Sequence, residues 1–108
     1  MDEEKTEEVA KHLKQIATGK GVELEQILLF GSRARNDYKE ESDIDLILIS
    51  EDFQKMDTPT RSKEFYLNWD YKKLPEPEII CFTPEEFKEK KQNRGFIAHT
   101  AAEEGIEI

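Results

Sequence analysis

Hydrophobic positions near the start of the chain recur with the period of a helix. We predict a helix from Asp2 to about Ala17. Its apolar stripe consists of Val9, Leu13, Ile16 and Ala17. Acidic residues crowd the first turn and lysines follow in later turns, which suits the helix dipole, and Gly19 and Gly21 end the pattern. Such an amphipathic helix is expected to cover a sheet.

Three short apolar runs predict strands. They cover Glu25–Phe30, Ile44–Ile49 and Glu78–Phe82. The first run stops at Gly31, and a run of this length that ends at a glycine is more typical of a buried strand than of a helix. The second, IDLILI, is rich in β-branched residues and ends at Ser50.

The remaining segments predict further helices between and after the strands. Thr58 and Pro59 supply an N-cap and a first-turn proline for a helix from about Thr60 to Tyr71, with Phe65 and Trp69 on one side. The sequence TPEE at residues 83–86 is a capping box for a helix to about Arg94, ended by Gly95. The tail FIAHTAAEEGIEI predicts a short amphipathic helix and a few extended residues.

This order of elements predicts the fold class. Strands that alternate with helices indicate an α/β (α+β) domain, with one small sheet flanked by helices. We expect a single domain over residues 1–108, because a chain of this length can bury only one modest core.

Composition narrows the range of partners and compartments. The chain has 25 acidic and 16 basic residues and a formal net charge of -9, which disfavours nucleic acid as a partner because backbone binding needs clustered cations. No apolar segment approaches the roughly 20 residues of a membrane helix, and the acidic N-terminus does not resemble a secretion signal. We therefore expect a cytoplasmic protein with no membrane contact. The one cysteine, Cys81, is expected to be a buried thiol.

A Gly-Ser step follows the first predicted strand directly. At such a strand-to-helix corner, Gly31 permits a sharp turn and keeps side-chain bulk away from a ligand. Backbone N–H groups and the Ser32 hydroxyl could bind phosphate oxygens there. The alternative is an ordinary turn, which is what most Gly-Ser pairs form.

Two aspartates come ten residues after the Gly-Ser step. In a strand, residues two apart point to one face, so Asp43 and Asp45 should project together while Ile44 and Leu46 enter the core. Two like charges this close repel, and a divalent cation between them would relieve the repulsion. Carboxylate oxygens are the ligands that magnesium prefers. The alternative is that the two aspartates merely flank a strand in an acidic chain.

The combination of both features is more informative than either alone. In a shuffled chain of this composition, Gly-Ser followed after ten residues by Asp-x-Asp would occur with a chance of about one in 1,500. The segment GSRAR at residues 31–35, with DIDL at residues 43–46, closely resembles the signature of the DNA polymerase beta-like nucleotidyltransferase superfamily. The size of the chain resembles the minimal nucleotidyltransferase (MNT) branch of that superfamily.

The resemblance implies a polymerase beta-like nucleotidyltransferase fold and a metal site. Asp43 and Asp45 would bind magnesium, with two ions expected, together with a nucleoside triphosphate. A third carboxylate, at the first residue of the third strand, would complete the site and help to deprotonate the attacking hydroxyl. Glu78 occupies that position, where the family more often has aspartate, and the extra methylene could displace the carboxylate by about an ångström. Glu76, two residues earlier, is a rival for this role.

The resemblance also implies how the nucleotide is bound and attacked. Gly31 and Ser32 would hold the triphosphate while an acceptor oxygen attacks the α-phosphorus and pyrophosphate leaves. Arg33 and Arg35 would neutralise phosphate charge, since the guanidinium fork matches two oxygens at once. Their alternative role is pairing with nearby acids, namely Asp37, Glu40 and Glu41. The family more often has glycine at position 36, where asparagine also tolerates a left-handed backbone.

The biological role that the resemblance implies is that of an antitoxin. MNT proteins often pair with a small helical HEPN ribonuclease toxin, which they silence by attaching AMP from ATP to a tyrosine and by binding it. A hetero-oligomer with such a toxin is therefore expected. The first alternative is a binding-only module, in which the site around Glu78 is too poor for turnover. The second is an inert domain in which the motif is accidental.

Overall fold

Four strands and five α-helices make up the computed structural model, which describes all residues 1–108. The helices are α1 (Glu3–Gly19), α2 (Ser32–Arg35), α3 (Thr58–Leu67), α4 (Pro84–Lys90) and α5 (Ile97–Glu104). The strands are β1 (Gln26–Phe30), β2 (Ile44–Ile49), β3 (Pro77–Phe82) and β4 (Ile106–Glu107), and a 3-10 helix spans Glu51–Lys55.

The strands form one mixed sheet in the order β3-β2-β1-β4. Strand β1 runs antiparallel to β2 and to β4, whereas β2 and β3 are parallel. The C-terminal end of β1 therefore lies beside the N-terminal ends of β2 and β3. In that register Asp45 lies opposite Phe30 on one side and opposite Glu78 on the other.

Helices cover both faces of the sheet. One face packs against α1 and α3, with side chains such as Leu46 and Phe65 in a core of 17 buried residues. The other face packs against α4 and α5, where Ile47 contacts a smaller cluster that includes Phe87 and Ala101. Burial on both faces explains why IDLILI is apolar almost throughout. The predicted fold class, a small mixed sheet flanked by helices, is confirmed.

The predicted helix starts are largely confirmed. The Asp2 carboxylate accepts a hydrogen bond of 2.7 Å from the backbone N–H of Lys5 and caps α1. The capping box between Thr83 and Glu86 is present in both directions. These interactions depend on residues at most three positions apart, so the local sequence specifies them.

The predicted helix ends were less accurate. Helix α3 begins at Thr58 instead of Thr60, so the predicted N-cap Thr58 is wrong and Asp57 takes that position; the helix ends at Leu67 instead of Tyr71. At this end the Glu64 carbonyl accepts hydrogen bonds from both the backbone N–H and the side-chain amide of Asn68, at 3.0 and 2.8 Å. Helix α4 ends at Lys90 instead of Arg94, and residues 91–95 form turns.

Two side chains of α3 anchor β3 at the sheet edge. The Tyr66 hydroxyl accepts a 2.7 Å hydrogen bond from the Ile79 N–H, and Arg61 donates to the Cys81 carbonyl at 3.3 Å. The Arg61 guanidinium also pairs with Glu86 at 2.6 Å. Backbone groups of an edge strand are thereby satisfied, and the strand that carries Glu78 is fixed in place.

The burial of Cys81 and the character of the helices bear on two further expectations from the sequence. Cys81 is buried as expected, and its burial raises the pKa of the thiol to about 12, against a smaller opposing effect of Arg61. None of the helices combines the length and the apolar character needed to cross a bilayer.

Candidate active site

The Gly-Ser step forms a sharp corner between β1 and α2. Gly31 has φ 74° and ψ -155°, a backbone conformation that is open to glycine and strained for other residues. The N–H groups of Ala34 and Arg35 both donate to the Gly31 carbonyl and close the single turn of α2. Asn36 ends this turn in the left-handed conformation, with φ 61°. The turn therefore forms with asparagine at position 36, where the family more often has glycine.

The corner packs directly against one of the motif aspartates. A β-carbon added to Gly31 would lie 3.2 Å from Cγ of Asp45 and would overlap its Oδ2. The sheet register causes this approach, because Phe30, the residue before Gly31, lies opposite Asp45. The two halves of the sequence motif therefore meet at one point, where Gly31 lies against Asp45.

Asp45 and Glu78 form a carboxyl pair across the parallel strands β2 and β3. Burial, the hydrogen bond with Glu78, and the negative charges of Glu78 and Asp43 together raise the pKa of Asp45 to about 6, and Arg35 opposes this shift. Glu78 is the second residue of β3, after Pro77. Glu76 lies before the strand, where its backbone carbonyl accepts a 2.9 Å hydrogen bond from Ile44. The geometry favours Glu78 over Glu76 as the neighbour of Asp45.

Asp43 lies at the entrance to β2 and is exposed. It acts on Asp45 through its charge. The three carboxyl groups of Asp43, Asp45 and Glu78 do not converge as a preformed group of metal ligands. Magnesium is commonly bound through one or two carboxylates, with water and substrate phosphates completing its shell, so the hard oxygen donors of Asp45 and Glu78 fit this ion. The mutual repulsion of these carboxyl groups is what a cation would relieve.

Arg33 is placed differently from the prediction. Its side chain is buried, and its guanidinium donates to the carbonyls of Ser42, at 2.9 and 3.2 Å, and of Glu40, at 3.2 Å. The guanidinium carbon also lies 4.5 Å from the centre of the Tyr38 ring. In this structure Arg33 binds backbone carbonyls of the following loop, not a phosphate site and not the carboxylates of nearby acids.

Arg35 is exposed and pairs with two carboxylates. Its Nε donates to Asp37 at 3.1 Å and its Nη1 to Glu104 at 3.4 Å. The hydrogen bond and the charge of Asp37, followed by the charge of Glu104, raise the pKa of the guanidinium. Pairing with Asp37 was the expected alternative role, whereas Glu104, from α5, was not anticipated. A contact between Arg35 and phosphate remains a prediction.

Comparison with known proteins identifies the family of this chain. The sequence profile of the Nucleotidyltransferase domain family matches residues 6–106. The chain belongs to this family. Nucleotidyltransferase domains generally use nucleoside triphosphates and divalent metal ions, so the general function of this domain is nucleotidyl transfer.

A solved structure supports the fold of this nucleotidyltransferase domain. The crystal structure of a candidate nucleotidyltransferase from Sulfolobus solfataricus superimposes with a TM-score of 0.59. The two sequences are 21% identical, and the match covers 90% of this chain and 72% of the other. Identity at this level shows that the two proteins share a fold, and it says nothing about their substrates. None of the curated protein sequences is significantly similar to the chain.

Proposed function

We propose that this nucleotidyltransferase domain uses magnesium to transfer AMP from ATP to a tyrosine hydroxyl of a HEPN-type toxin, and so acts as an antitoxin. The observation that carries the proposal is the contact between the Gly31 corner and Asp45, with Glu78 beside it. The Gly31 corner, which suits a triphosphate, and the two carboxylates lie together in one site.

The carboxylates of Asp43, Asp45 and Glu78 would hold the metal, with two ions expected. When bound, magnesium neutralises charge on the triphosphate and on the departing pyrophosphate. Because Gly31 carries no β-carbon, the Asp45 carboxylate can lie directly against the corner that would hold the triphosphate. Ser32 donates its hydroxyl to a phosphate oxygen, and Arg35 exchanges its present carboxylate partners for phosphate.

The transfer step forms one bond and breaks one. The acceptor oxygen attacks the α-phosphorus of ATP, and the bond between that phosphorus and the bridging oxygen of pyrophosphate breaks. The acceptor hydroxyl would give its proton to Glu78, which lies opposite Asp45 on the neighbouring strand. The products are an AMP ester of the acceptor and pyrophosphate.

A protein is the acceptor best suited to this chain. The net charge of -9 disfavours a nucleic acid. Asp43 and Glu78 are exposed, so a macromolecular hydroxyl can reach the site from solvent. The HEPN partner and the hetero-oligomer are implied by the resemblance of GSRAR and DIDL to the MNT branch, whereas the cytoplasmic location is an expectation from the composition of the chain.

The second candidate function is neutralisation of the partner by binding alone. Two observations favour it: glutamate stands where the family more often has aspartate, and the three carboxyl groups do not converge on a metal position. In this case the fold would serve as a docking module and the site would turn over slowly or not at all.

One experiment separates these functions. The purified domain is incubated with a HEPN protein encoded beside it, with magnesium and ATP labelled at the α-phosphate. AMP on a tyrosine of the partner, detected by mass spectrometry and absent in Asp43→Asn and Asp45→Asn, supports the transferase. Glu41→Gln, at an exposed loop position, serves as the matched control. If the aspartate variants still neutralise the partner, binding suffices and the enzymatic function is wrong.

A further inference from the structure

We infer that Arg33 is a positioning residue: it holds the loop Asn36–Ser42 so that Asp43 is presented at the start of β2, where its charge acts on Asp45. Arg33 therefore contributes to the site through backbone geometry and makes no contact with the nucleotide. The metal-binding part of this inference rests on the proposed function, whereas the loop-ordering part does not.

The guanidinium of Arg33 makes its hydrogen bonds inside the protein, through Nε and Nη2. The side chain is 6% exposed. Three hydrogen bonds bind it to the carbonyls of Glu40 and Ser42, and the Tyr38 ring lies against its face. Moving it to a phosphate would leave these carbonyls without the donor and would uncover the aromatic ring. These hydrogen bonds are partly buried and come from a charged donor, which makes them stronger than neutral ones, so Arg33 is expected to stay in place when a nucleotide binds.

The position of Asp43 depends on the loop more than on the sheet. The first backbone hydrogen bond between β2 and the chain before β3 is made by Ile44, the residue after Asp43. Ser42, the residue before Asp43, is where Arg33 makes two of its three hydrogen bonds. The loop also closes on itself, since the Lys39 N–H donates to Oγ of Ser42 at 2.9 Å. Arg33 thus connects helix α2, which follows the Gly31 corner, to the residue next to Asp43.

Arginine is specifically suited to this position. Its planar fork reaches two carbonyls at once while its face stacks on an aromatic ring, which the ammonium of lysine cannot do. Arg33→Lys should therefore loosen the loop although it keeps the charge. A residue that served only to attract phosphate would tolerate this change far better.

The experiment compares Arg33→Met and Arg33→Lys with Lys39→Met. Lys39 lies in the same loop, and its ammonium makes no hydrogen bond or ion pair in the structure, so its removal is a matched loss of charge. The first measurement is exchange of the Ser42 amide proton by NMR without metal. The second is binding of Mn²⁺ alone by calorimetry. The third is binding of ATP in the presence of EDTA.

The sign of the metal effect distinguishes positioning from simple electrostatics. Loss of a positive charge near carboxylates should by itself tighten binding of a cation. The inference predicts the opposite for both Arg33 variants: Mn²⁺ binding weakens about tenfold, as expected when a residue that supports metal ligands is removed. Exchange of the Ser42 amide should be at least about tenfold faster, and Lys39→Met should leave exchange unchanged and Mn²⁺ binding equal or tighter.

The contrary result is equally specific. If both Arg33 variants keep the Ser42 exchange rate and the Mn²⁺ affinity of the wild type, and bind ATP more weakly in EDTA, Arg33 contacts phosphate and the inference is wrong. Should Arg33→Met fail to fold, Tyr38→Leu removes only the aromatic ring that stacks on the guanidinium. It is expected to speed exchange of the Ser42 amide and to weaken Mn²⁺ binding, each by about threefold. A wild-type chain that binds no Mn²⁺ would overturn the proposed function, while the exchange measurement would still decide the loop-ordering role.

Discussion

Gly31 lies so close to Asp45 that no side chain fits between them. A β-carbon on Gly31 would overlap Oδ2 of the Asp45 carboxylate. The contact joins two residues that are separated by a turn, a helix and a loop, and it makes position 31 a test of the whole site.

The first prediction is that Gly31→Ala is strongly damaging. The φ of 74° costs about 1–3 kcal/mol for a residue with a side chain, and the new methyl group must also displace Asp45. A displacement of about 1 Å can reduce the rate about a hundredfold. We expect the midpoint of thermal denaturation to be lower than in the wild type. We expect the rate of nucleotidyl transfer to fall at least about a hundredfold.

Gly19→Ala provides the matched control. Gly19 is the last residue of α1, has an ordinary backbone conformation and has no atom within 4 Å of an added β-carbon. Alanine should therefore be neutral or stabilise the protein by up to about 1 kcal/mol. If both variants behave alike, the contact at position 31 has no functional meaning.

The second prediction concerns the pH dependence of stability. The pKa of Asp45 is about 6 in the folded chain and 3.8 ordinarily, so the folded state binds this proton more tightly. The corresponding stability is complete below the unfolded value and is lost as pH rises from about 4 through 6. Above that range Asp45→Asn, which resembles the neutral acid, should be more stable than the wild type by about 1 kcal/mol, a figure reduced because the carboxyl group is only partly buried and solvent screens it.

Chemical denaturation at pH 4 and pH 8, in EDTA, measures this difference. The gain from Asp45→Asn should grow with pH, while nucleotidyl transfer is abolished at every pH. Glu41→Gln removes one charge from the exposed loop and controls for the general acidity of the chain. A gain that is the same at both pH values would contradict the assignment of the shift to Asp45.

The pattern of the chain was sufficient for the sheet and for most of the helices. Strands β1 and β2 and the cap of α4 depend on neighbours a few residues away, and each was predicted within a residue or two. The single turn α2 and the 3-10 helix Glu51–Lys55 are too short to show a period. The latter had a local signal nonetheless, since Ser50 accepts a hydrogen bond from the Asp52 N–H in the manner of an N-cap.

The candidate site could be predicted only where its residues follow from the motif. Gly31 and Asp45, one from each half of the motif, lie against each other in the structure. The different placements of Arg33 and Arg35 could not be predicted, because burial of one and exposure of the other depend on how the loop packs over α2. Glu104 lies 69 residues from Arg35, and no local pattern connects the two.

The third prediction separates the two candidate third carboxylates. Glu78→Gln removes a negative charge and a proton acceptor beside Asp45, so the pKa of Asp45 should fall toward its ordinary value and transfer should drop by at least about a hundredfold. Glu76→Gln is the comparison, because Glu76 precedes β3 and its side chain has no hydrogen-bond partner in the structure. The pKa of Asp45 is read from carboxyl carbon shifts in an NMR titration. A larger loss of activity in Glu76→Gln than in Glu78→Gln would reverse the assignment.

The fourth prediction is that Glu104 restrains Arg35 in the nucleotide-free chain. If Arg35 exchanges Glu104 for phosphate, Glu104→Gln should tighten ATP binding by up to about threefold, the range expected for an exposed ion pair. Arg35→Met should weaken ATP binding. Titration of ATP with magnesium, followed by calorimetry, measures both.

A double-mutant cycle distinguishes this exchange from a general charge effect. Loss of any acid near the site lowers repulsion of ATP, so Glu103→Gln, one residue earlier on α5, measures that background. In the Arg35→Met background Glu104→Gln should bring no more gain than Glu103→Gln does, because the ion pair that it breaks is already gone. If the advantage of Glu104→Gln persists without Arg35, the carboxylate acts on the nucleotide directly and Arg35 is not the residue that it restrains.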